Sequence, residues 1–425
     1  MVQLILAAVV LPSANSLQVD SHNRQQQLKV TTNIVTKAIG LVCVAHFFSH
    51  FNMMMLPPLL PLIGESLDIG YTEIGLALSA YSLMSALTQT PIGFAVDRIG
   101  APRILIAGIV VESLSFMLIG VFPLYGMLLL MLVFAGIGNA VYHPADYSIL
   151  NQVVPDGKIG KAFSYHTAAG LLGEAMAPAT VLVLALTFGW HTALIVGGLL
   201  GVVVAAALFF NRNLFSAFET SRSSKSSQGF NGLLTLPLIL GLMFFVGISL
   251  TTRGVNGFGV SALHEGKGMD LPSAGILLTV WLVASPIGVL AGGHLADRHN
   301  NHSTMIAVCF LGLAFCLALL AATQPPFALA MVIFSCGGFL AGLVSPSRDM
   351  LIRSVTPPGQ SGRVFGFVST GFNLGGMLAP SLYGYILDSG NANSVFGFAA
   401  LASLLTIATV LSTKRAALKT PLGTT

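Results

Sequence analysis

The stretch GFAVDRIGAPR, residues 93–103, stands between two long apolar runs of a 425-residue chain. A shorter version of it, GHLADRH, residues 293–299, also follows a long apolar run and begins 200 positions later (93 to 293). Each copy places an Asp-Arg pair in a short polar break between segments that are near the roughly 20 residues a membrane-spanning helix needs. The pattern predicts a membrane protein built from two related halves.

The composition agrees with a membrane-embedded chain. Hydrophobic residues make up 54% of the sequence and charged residues only 8%, with a mean hydropathy of +0.84. Soluble domains carry about 25% charged residues, so these charges are too few to cover a soluble surface. A soluble enzyme is therefore excluded, and a net charge of +4 is no argument for nucleic-acid binding. The four cysteines lie in apolar runs and are interpreted as small core residues.

Twelve apolar segments are predicted to cross the membrane. They are numbered here as spans 1 to 12 and cover about residues 38–62, 72–95, 103–121, 124–149, 162–186, 190–210, 233–260, 273–295, 304–322, 327–350, 362–387 and 393–412. They are unbroken runs, which favours helices that satisfy their own backbone over the short alternating strands of a barrel. The predicted fold is an all-α polytopic membrane protein with two pseudo-symmetric six-helix halves. Its predicted divisions are an N-terminal tail (1–34), a first half (35–210), a Ser-rich linker (211–232), a second half (233–413) and a C-terminal tail (414–425).

The positions of the basic residues predict the orientation. Lys267 is the only Lys or Arg in a loop on the side away from the termini, while Arg253 and Arg348 fall within spans. All the others lie on the side of the termini, so the positive-inside rule places both termini in the cytoplasm. We expect a multi-pass protein of a bacterial cytoplasmic membrane that functions as a monomer.

A second repeat joins the two halves. The sequence HPAD, residues 143–146 in span 4, matches SPSR, residues 345–348 in span 10, at an offset of 202 (144 to 346). Duplicated halves that face each other are typical of transporters, which hold the substrate near the midplane between the repeats.

These residues resemble the major facilitator superfamily. Its signature between the second and third helices is a glycine, three residues, Asp-Arg, one residue, another glycine and then basic residues. The matching residues here are Gly93, Asp97, Arg98, Gly100 and Arg103, and the second copy keeps Asp297 and Arg298. The two residues after Gly100 are not the usual basic pair. The resemblance covers about residues 35–415 and implies a secondary transporter.

The polar break also has a physical interpretation of its own. Asp97 can accept hydrogen bonds from the free N–H groups of a nearby helix N-terminus. Arg98 and Arg103 can pair with carboxylates or lipid headgroups on the same side. Such contacts would latch the two halves in one state, which is a gating role. Simple anchoring by positive charge is the alternative.

Within the superfamily the sequence looks most like the fosmidomycin-resistance type of efflux protein. This resemblance is carried by HFFSHFN, residues 46–52, and by GIG, residues 136–138, leading to YHP, residues 142–144. It implies drug or metabolite efflux by proton antiport.

Ionisable side chains at membrane depth cost several kcal/mol and are functional candidates for that reason. His46 and His50 lie one helical turn apart on span 1 and face the same way, and Asn52 follows them. We expect these residues to line a cavity. A packed, hydrogen-bonded histidine pair and a metal site are the alternatives.

Two further pairs are candidates for proton coupling or substrate contact. His143 and Asp146 are three residues apart on span 4, and a carboxylate beside an imidazole suits proton exchange near neutral pH. A helix-end cap is the alternative there. His166 and Glu174 lie on roughly one side of span 5. Glu112 on span 3 has less weight, because span 3 is often peripheral in this fold.

Arg253 on span 7 and Arg348 on span 10 supply cationic groups within spans. Arg348 occupies the repeat position that corresponds to Asp146, and we expect the two to pair or to exchange partners as access alternates. Arg253 suits an anionic substrate group if it lines the cavity. Snorkelling to the lipid headgroups is the alternative for Arg253.

Together these features predict a secondary active transporter that moves a small polar or anionic solute by proton-coupled alternating access. The expected partners are the solute, protons and the bilayer, with no nucleic acid, no cofactor and no resident metal. The chain has no phosphate-binding loop and no nucleophile elbow, so an enzyme is not expected. Efflux by proton antiport is favoured, with proton-linked uptake of an organic acid and transport of a metal or metal chelate as alternatives. A sensor that moves nothing is a weaker alternative, because the linker and tails are too short for a signalling domain.

Overall fold

The computed structural model describes residues 21–154, 159–216, 235–298, 301–356 and 361–419. Within these ranges each of the twelve predicted spans is helical. A short additional helix, Asn213–Ser216, follows span 6. The predicted linker and both tails lie largely outside the described residues. The spans in order are Ser21–Met53 with Leu60–Leu67, Tyr71–Ile99, Ala101–Val121, Tyr125–Asn139 with Tyr142–Val153, Ile159–Phe188, Trp190–Phe210, Leu236–Lys267, Leu271–Arg298, His302–Ala322, Phe327–Ser354, Ser361–Asp388 and Ser394–Lys419.

The two halves repeat one packing scheme. In the first half span 1 packs on span 5, span 2 on span 4 and span 3 on span 6. In the second half span 7 packs on span 11, span 8 on span 10 and span 9 on span 12. The halves meet where span 2 packs on span 11 and span 5 packs on span 8. The structure thus has the pseudo-symmetric, all-helical architecture that the sequence repeat predicts.

Ten of the twelve helices are long and apolar enough to cross a bilayer, among the residues described. The other two are spans 2 and 11, which are long but rich in Ser, Thr and Tyr. Their polar composition follows from their position, because each packs against the other half and lines the space between the halves. Their surroundings are therefore less apolar than lipid.

Spans 1 and 4 are both interrupted near their centres. Span 1 stops at Met53 and continues through a 3₁₀ turn, Pro57–Leu59, into its second helix. Span 4 stops at Asn139 and restarts at Tyr142, two residues before Pro144. Proline lacks the N–H of the helical ladder and clashes with the preceding turn. Both interruptions lie beside the buried polar residues described below.

The two halves are in close contact at one membrane face. This face, called here the opposite face, lies across the membrane from the start of span 1 and the end of span 12. The carboxylate of Asp388 accepts hydrogen bonds from the backbone N–H groups of Tyr71 (2.8 Å) and Thr72 (2.6 Å). The Tyr71 hydroxyl donates to Glu265 Oε1 at 2.7 Å. Asp388 at the end of span 11 therefore caps the N-terminus of span 2, where a negative charge is favourable.

Glycines allow this closure. A Cβ added at Gly75 would lie 2.3 Å from the Pro380 carbonyl oxygen, and one added at Gly384 would lie 2.1 Å from the Tyr71 carbonyl oxygen. The backbones of spans 2 and 11 touch at both points, and no side chain fits between them. Ser79 and Ser381 share a hydrogen bond of 2.8 Å in the same interface.

The halves diverge toward the face where span 1 begins and span 12 ends, called here the terminal face. A largely apolar groove opens there between spans 5 and 8, and its lining includes Phe163 near the start of span 5 and Leu290 near the end of span 8. Gly93 and Gly293, near the ends of spans 2 and 8, have no atom within 4 Å of an added Cβ. The structure is therefore closed at the opposite face and open at the terminal face.

Leucine at Gly384 should prevent closure of the opposite face, because its side chain would overlap the Tyr71 carbonyl. In a cysteine-free background, Ser79→Cys should react several times faster with a membrane-impermeant maleimide when Gly384→Leu is also present. The matched control is Gly126→Leu, since nothing lies within 4 Å of an added Cβ there. Equal labelling rates in the two backgrounds would contradict the glycine contact as the basis of closure.

Candidate functional site

A cavity of about 310 Å³ lies between the two halves. It receives polar side chains from spans 1, 2 and 4 of the first half and from spans 7 and 11 of the second. Its polar lining residues are Ser49, His50, Tyr81, Ser82, Ser85, Gln89, Asn139, His143, Arg253, Ser369 and Asn373.

A smaller pocket of about 40 Å³, called here the inner pocket, adjoins this cavity. The two share Met53, Tyr81, Ser82 and Arg253 as lining residues. Asn52 lines only the inner pocket. The space between the halves thus narrows from the larger cavity to the inner pocket.

Asp146 is sealed inside the first half. Its side chain has 0% exposure, and its Oδ2 atom lies 2.9 Å from His166 Nε2 and 3.5 Å from His46 Nδ1. The His46 side chain is 4% exposed and the His166 side chain is 1% exposed. A buried carboxylate is costly unless it is paired, and its partners here are two imidazoles.

The imidazoles are stacked against each other. The ring of His46 lies parallel to that of His166, with centroids 3.5 Å apart, and 4.5 Å from that of His50. Gly170 on span 5 makes room for them, because a Cβ there would lie 2.8 Å from His46 and 3.0 Å from His50. His46 therefore links the sealed carboxylate to the residues nearer the cavity.

His50 and Glu174 form a second carboxylate–imidazole pair, at 2.7 Å between Nδ1 and Oε1. The two side chains are 21% and 17% exposed, and His50 lines the cavity. His50 is therefore accessible from the cavity, in contrast to Asp146 and His166, and Glu174 is linked to the cavity through His50.

His143 and Asp146 do not form the closest pair, although they lie three residues apart. His143 lines the cavity and its ring lies 5.7 Å from that of Tyr147, while Asp146 turns inward to His166 and His46. Helical spacing placed both on span 4 and gave no information about which neighbouring helix each would meet.

Arg253 reaches the cavity and the inner pocket from span 7. A Cβ added at Gly376 would lie 3.8 Å from both Arg253 Nη2 and Ser82 Oγ, so the guanidinium lies between spans 2 and 11. Within the described ranges Arg253 has no carboxylate partner and no hydrogen bond. It is thus a cation whose charge is open to a ligand, and it does not snorkel to the headgroups.

Arg348 is not paired with Asp146 in this conformation. Its Nε donates to Asp349 Oδ1 at 2.8 Å, and its guanidinium lies 5.3 Å from the ring centre of Phe245 and 5.5 Å from that of Phe372. An exchange of partners between Arg348 and Asp146 stays a prediction for another conformation.

The Asp-Arg motif lies on the ends of the helices, and not in a short break between them as predicted. Span 2 runs to Ile99 and span 3 begins at Ala101, so Gly100 alone joins them. Gly100 has φ +100°, a backbone conformation that only glycine adopts without strain. Arg103 Nη1 donates to the Ile99 carbonyl at 3.1 Å and so caps span 2, in place of the expected carboxylate or headgroup.

Asp97 and Arg98 are exposed and, in the described part of the chain, have no hydrogen-bond or ion-pair partner. Arg298 is exposed as well, and the side chain of Asp297 lies outside the described residues. The halves are apart at this face, so the latch assigned to these residues stays a prediction for the conformation in which the terminal face closes.

Glu112 is the main residue that sequence reasoning weighed too low. It is fully buried on span 3 and accepts four side-chain hydrogen bonds. Their donors come from spans 1, 2 and 4: Asn52 (3.1 Å), Tyr81 (3.3 Å), Asn139 (3.3 Å) and Tyr142 (2.8 Å). In the sequence, Glu112 could be recognised only as a single carboxylate in an apolar helix. Nothing in the sequence pattern identified the hydrogen-bond donors that lie on other spans.

His46, Asp146 and His166 offer three ligand atoms within 4.8 Å of one another, a spacing compatible with a metal ion. The stacked rings fit a metal poorly, however. A ligand nitrogen points its lone pair in the ring plane, and an ion shared by parallel rings 3.5 Å apart would lie out of those planes. Met54 and Met55 are packed in the core and add no ligand.

Comparison with known proteins agrees with this architecture. The family model described as Major Facilitator Superfamily matches residues 42–252 and 242–424. The chain belongs to the major facilitator superfamily. It is therefore a secondary transporter and not an enzyme.

The relatives of this superfamily member differ in their described substrates. It is 25% identical over 399 residues to a probable sulfoacetate transporter of Cupriavidus necator, covering 86% of this chain and 92% of that protein. It is 26% identical over 388 residues to a multi-drug resistance efflux pump homologue of Lactococcus lactis, covering 86% and 91%. The fosmidomycin resistance protein of Escherichia coli is 22% identical over 387 residues, covering 88% and 91%. These identities favour no single subgroup.

Solved structures show the same fold. The nucleoside transporter NupG superposes with a TM-score of 0.73 at 14% identity, covering 90% of this chain and 99% of NupG. At this identity the likeness concerns the fold alone.

Replacement of Glu112 by Leu should destabilise the protein, because four buried donors would lose their acceptor. Each unpaired buried group costs about 1–3 kcal/mol, so we expect a clearly lower midpoint of thermal unfolding for the purified protein. The control is Leu114→Ala on the exposed side of the same helix. An unchanged midpoint for Glu112→Leu would contradict the hydrogen-bond cage.

Proposed function

We propose that this transporter moves a small organic anion with proton coupling, through alternating access of the cavity between its halves. The observation that carries the proposal is Arg253, which meets the cavity without a carboxylate partner. Arg253 is half-buried, and an anionic ligand would give it the partner that it lacks among the described residues. Guanidinium also binds carboxylate, phosphonate and sulfonate groups through paired hydrogen bonds.

The proposed proton sites are the carboxylate–imidazole groups of the first half. His50 meets the cavity and is hydrogen-bonded to Glu174, and His46 lies between His50 and the sealed pair Asp146–His166. His50 and His143 line the cavity that Arg253 lines from the second half. Protons and solute would therefore act on one shared space.

Electrostatics supports cotransport of the two. Protonation of His50 or His143 adds positive charge to the cavity and should raise its affinity for an anion. By reciprocity, a bound anion raises the affinity for protons by the same factor. Coupling of this sign moves protons and anion in the same direction, as in proton-linked uptake of an organic acid.

Efflux by proton antiport is the second candidate. It is favoured by the relative described as a multi-drug efflux pump and by the one described as a fosmidomycin resistance protein. Antiport requires coupling of the opposite sign, in which protonation of the transporter lowers its affinity for the solute and releases it.

For the setting we propose a monomer in a bacterial cytoplasmic membrane with both termini in the cytoplasm. The excess of Lys and Arg on the terminal side supports this orientation. The open terminal face would then be the cytoplasmic one, and the conformation described here would be inward-facing.

Proteoliposomes with a trapped pH dye test the proposal. A gradient of a sulfonate or carboxylate is imposed, and sulfonates are preferred because they do not leak as neutral acids. We expect the interior to acidify as the anion enters. Asp146→Asn should abolish the proton movement while anion counterflow persists, and Arg253→Met should reduce anion flux at least tenfold while Arg253→Lys keeps part of it.

The control is Leu114→Ala, which changes an exposed side chain of span 3 outside the cavity lining. Alkalinisation during anion entry would select the antiport candidate. Anion flux without proton movement, or flux indifferent to Arg253→Met, would contradict the proposal.

A further inference from the structure

The cage around Glu112 fixes the orientation of two side chains that also line the inner pocket. Asn52 donates its Nδ2 hydrogen to Glu112 Oε2 at 3.1 Å, and Tyr81 donates its hydroxyl hydrogen to Oε1 at 3.3 Å. An ionised carboxylate only accepts hydrogen bonds. Rotation of the Asn52 amide would place its oxygen against that carboxylate, so the observed orientation is the stable one.

This orientation leaves acceptors toward the pocket. With its proton directed to Glu112, Tyr81 has only oxygen lone pairs left. Asn52 is 1% exposed, and within the described residues its Oδ1 atom has no hydrogen-bond partner. A buried carbonyl oxygen without a donor costs about 1–3 kcal/mol, so a ligand that supplies a donor would gain affinity there.

The other half contributes the opposite polarity. Arg253 lines the same pocket and carries only donors. The pocket thus has acceptors from spans 1 and 2 and a cationic donor from span 7. Ser82 can both donate and accept, so it leaves this polarity unchanged.

We infer that the inner pocket is a subsite for a hydrogen-bond donor on the substrate, a hydroxyl or ammonium group placed one or two carbons from an anionic group held by Arg253. This inference rests on the proposed anion transport and narrows the substrate class to hydroxylated or aminated anions. Its volume of about 40 Å³ admits one small polar group and no ring. Glu112 is a positioning residue, because it acts through Asn52 and Tyr81 and does not touch the substrate.

The subsite should distinguish between ligands of equal size that differ only in whether they carry a hydrogen-bond donor. A methyl group in place of the hydroxyl would leave the Asn52 oxygen unpaired and would bring no donor to Tyr81. Sites that hydrogen-bond a substrate hydroxyl reject analogues that lack it. We therefore expect at least tenfold weaker binding of the methyl analogue.

Calorimetric titration of the purified full-length protein at one fixed pH tests this with matched probes. The probes are 2-hydroxyethanesulfonate and 2-aminoethanesulfonate against propane-1-sulfonate, with glycolate against propanoate as the carboxylate pair. In wild type the hydroxyl and amino members should bind at least tenfold tighter than their methyl counterparts. Asn52→Leu should reduce each ratio to near one, and Tyr81→Phe should lower it.

Glu112→Gln separates positioning from contact, because it frees the Asn52 amide without altering the pocket lining. It should lower the same ratios, while Leu114→Ala on the exposed side of the same helix leaves them unchanged. If Glu112→Gln fails to fold, Asn52→Leu and Tyr81→Phe still decide the result. Arg253→Met should weaken both members of each pair equally.

Equal affinities within the pairs in wild type, or a preference that survives both Asn52→Leu and Tyr81→Phe, would overturn the subsite. Binding of all probes that is indifferent to Arg253→Met would instead overturn the proposed anion site. Failure of every probe to bind wild type would remove both.

Discussion

The burial of Asp146 is the constraint on which the first half of this transporter depends. A carboxylate with no exposed surface must be paired or neutralised, and its nearest partners are two stacked imidazoles from spans 1 and 5. Stacked imidazoles cannot both carry a charge without strong repulsion. The net charge of this cluster is therefore set by the number of protons bound to Asp146 and the two imidazoles. The packing of spans 1, 4 and 5 depends in turn on the cluster.

The second half contributes a fixed charge instead of a titrating one. Arg253 stays charged at every physiological pH and faces the cavity without a partner among the described residues. In the proposed mechanism the two halves have different roles, with proton binding in the first and anion binding in the second. Glycine contacts between spans 2 and 11 let the halves meet closely at the opposite face, which leaves the cavity open on one side only.

Much of the architecture could be predicted from the sequence. Hydropathy and the repeats of GFAVDR and HPAD gave twelve helices in two halves, and the structure confirms that fold. Spans 2 and 11 show why polar residues do not exclude a span when a helix lines an internal space. The motif from Gly93 to Arg103 was placed correctly between spans 2 and 3, but its loop proved to be Gly100 alone.

The arrangement of the site could be predicted only in part. Helical spacing placed His46 and His50 on one face, yet each has a different carboxylate partner on another helix. The same spacing suggested His143 as the partner of Asp146, whereas the partner is His166, twenty residues away. Glu112 was undervalued because its four donors lie 27 to 60 residues from it along the chain. Periodicity defines faces of helices, and the neighbours of a face are decided by tertiary packing.

The central claim is that an anion at Arg253 and protons on the imidazole cluster favour each other. It is tested most directly by measuring proton exchange when an anion binds to the purified protein in weakly buffered solution with an indicator dye. The account predicts net proton uptake on addition of 2-hydroxyethanesulfonate near neutral pH, reduced in Asp146→Asn and absent in Arg253→Met. Proton release on binding, or binding without any proton exchange, would contradict it.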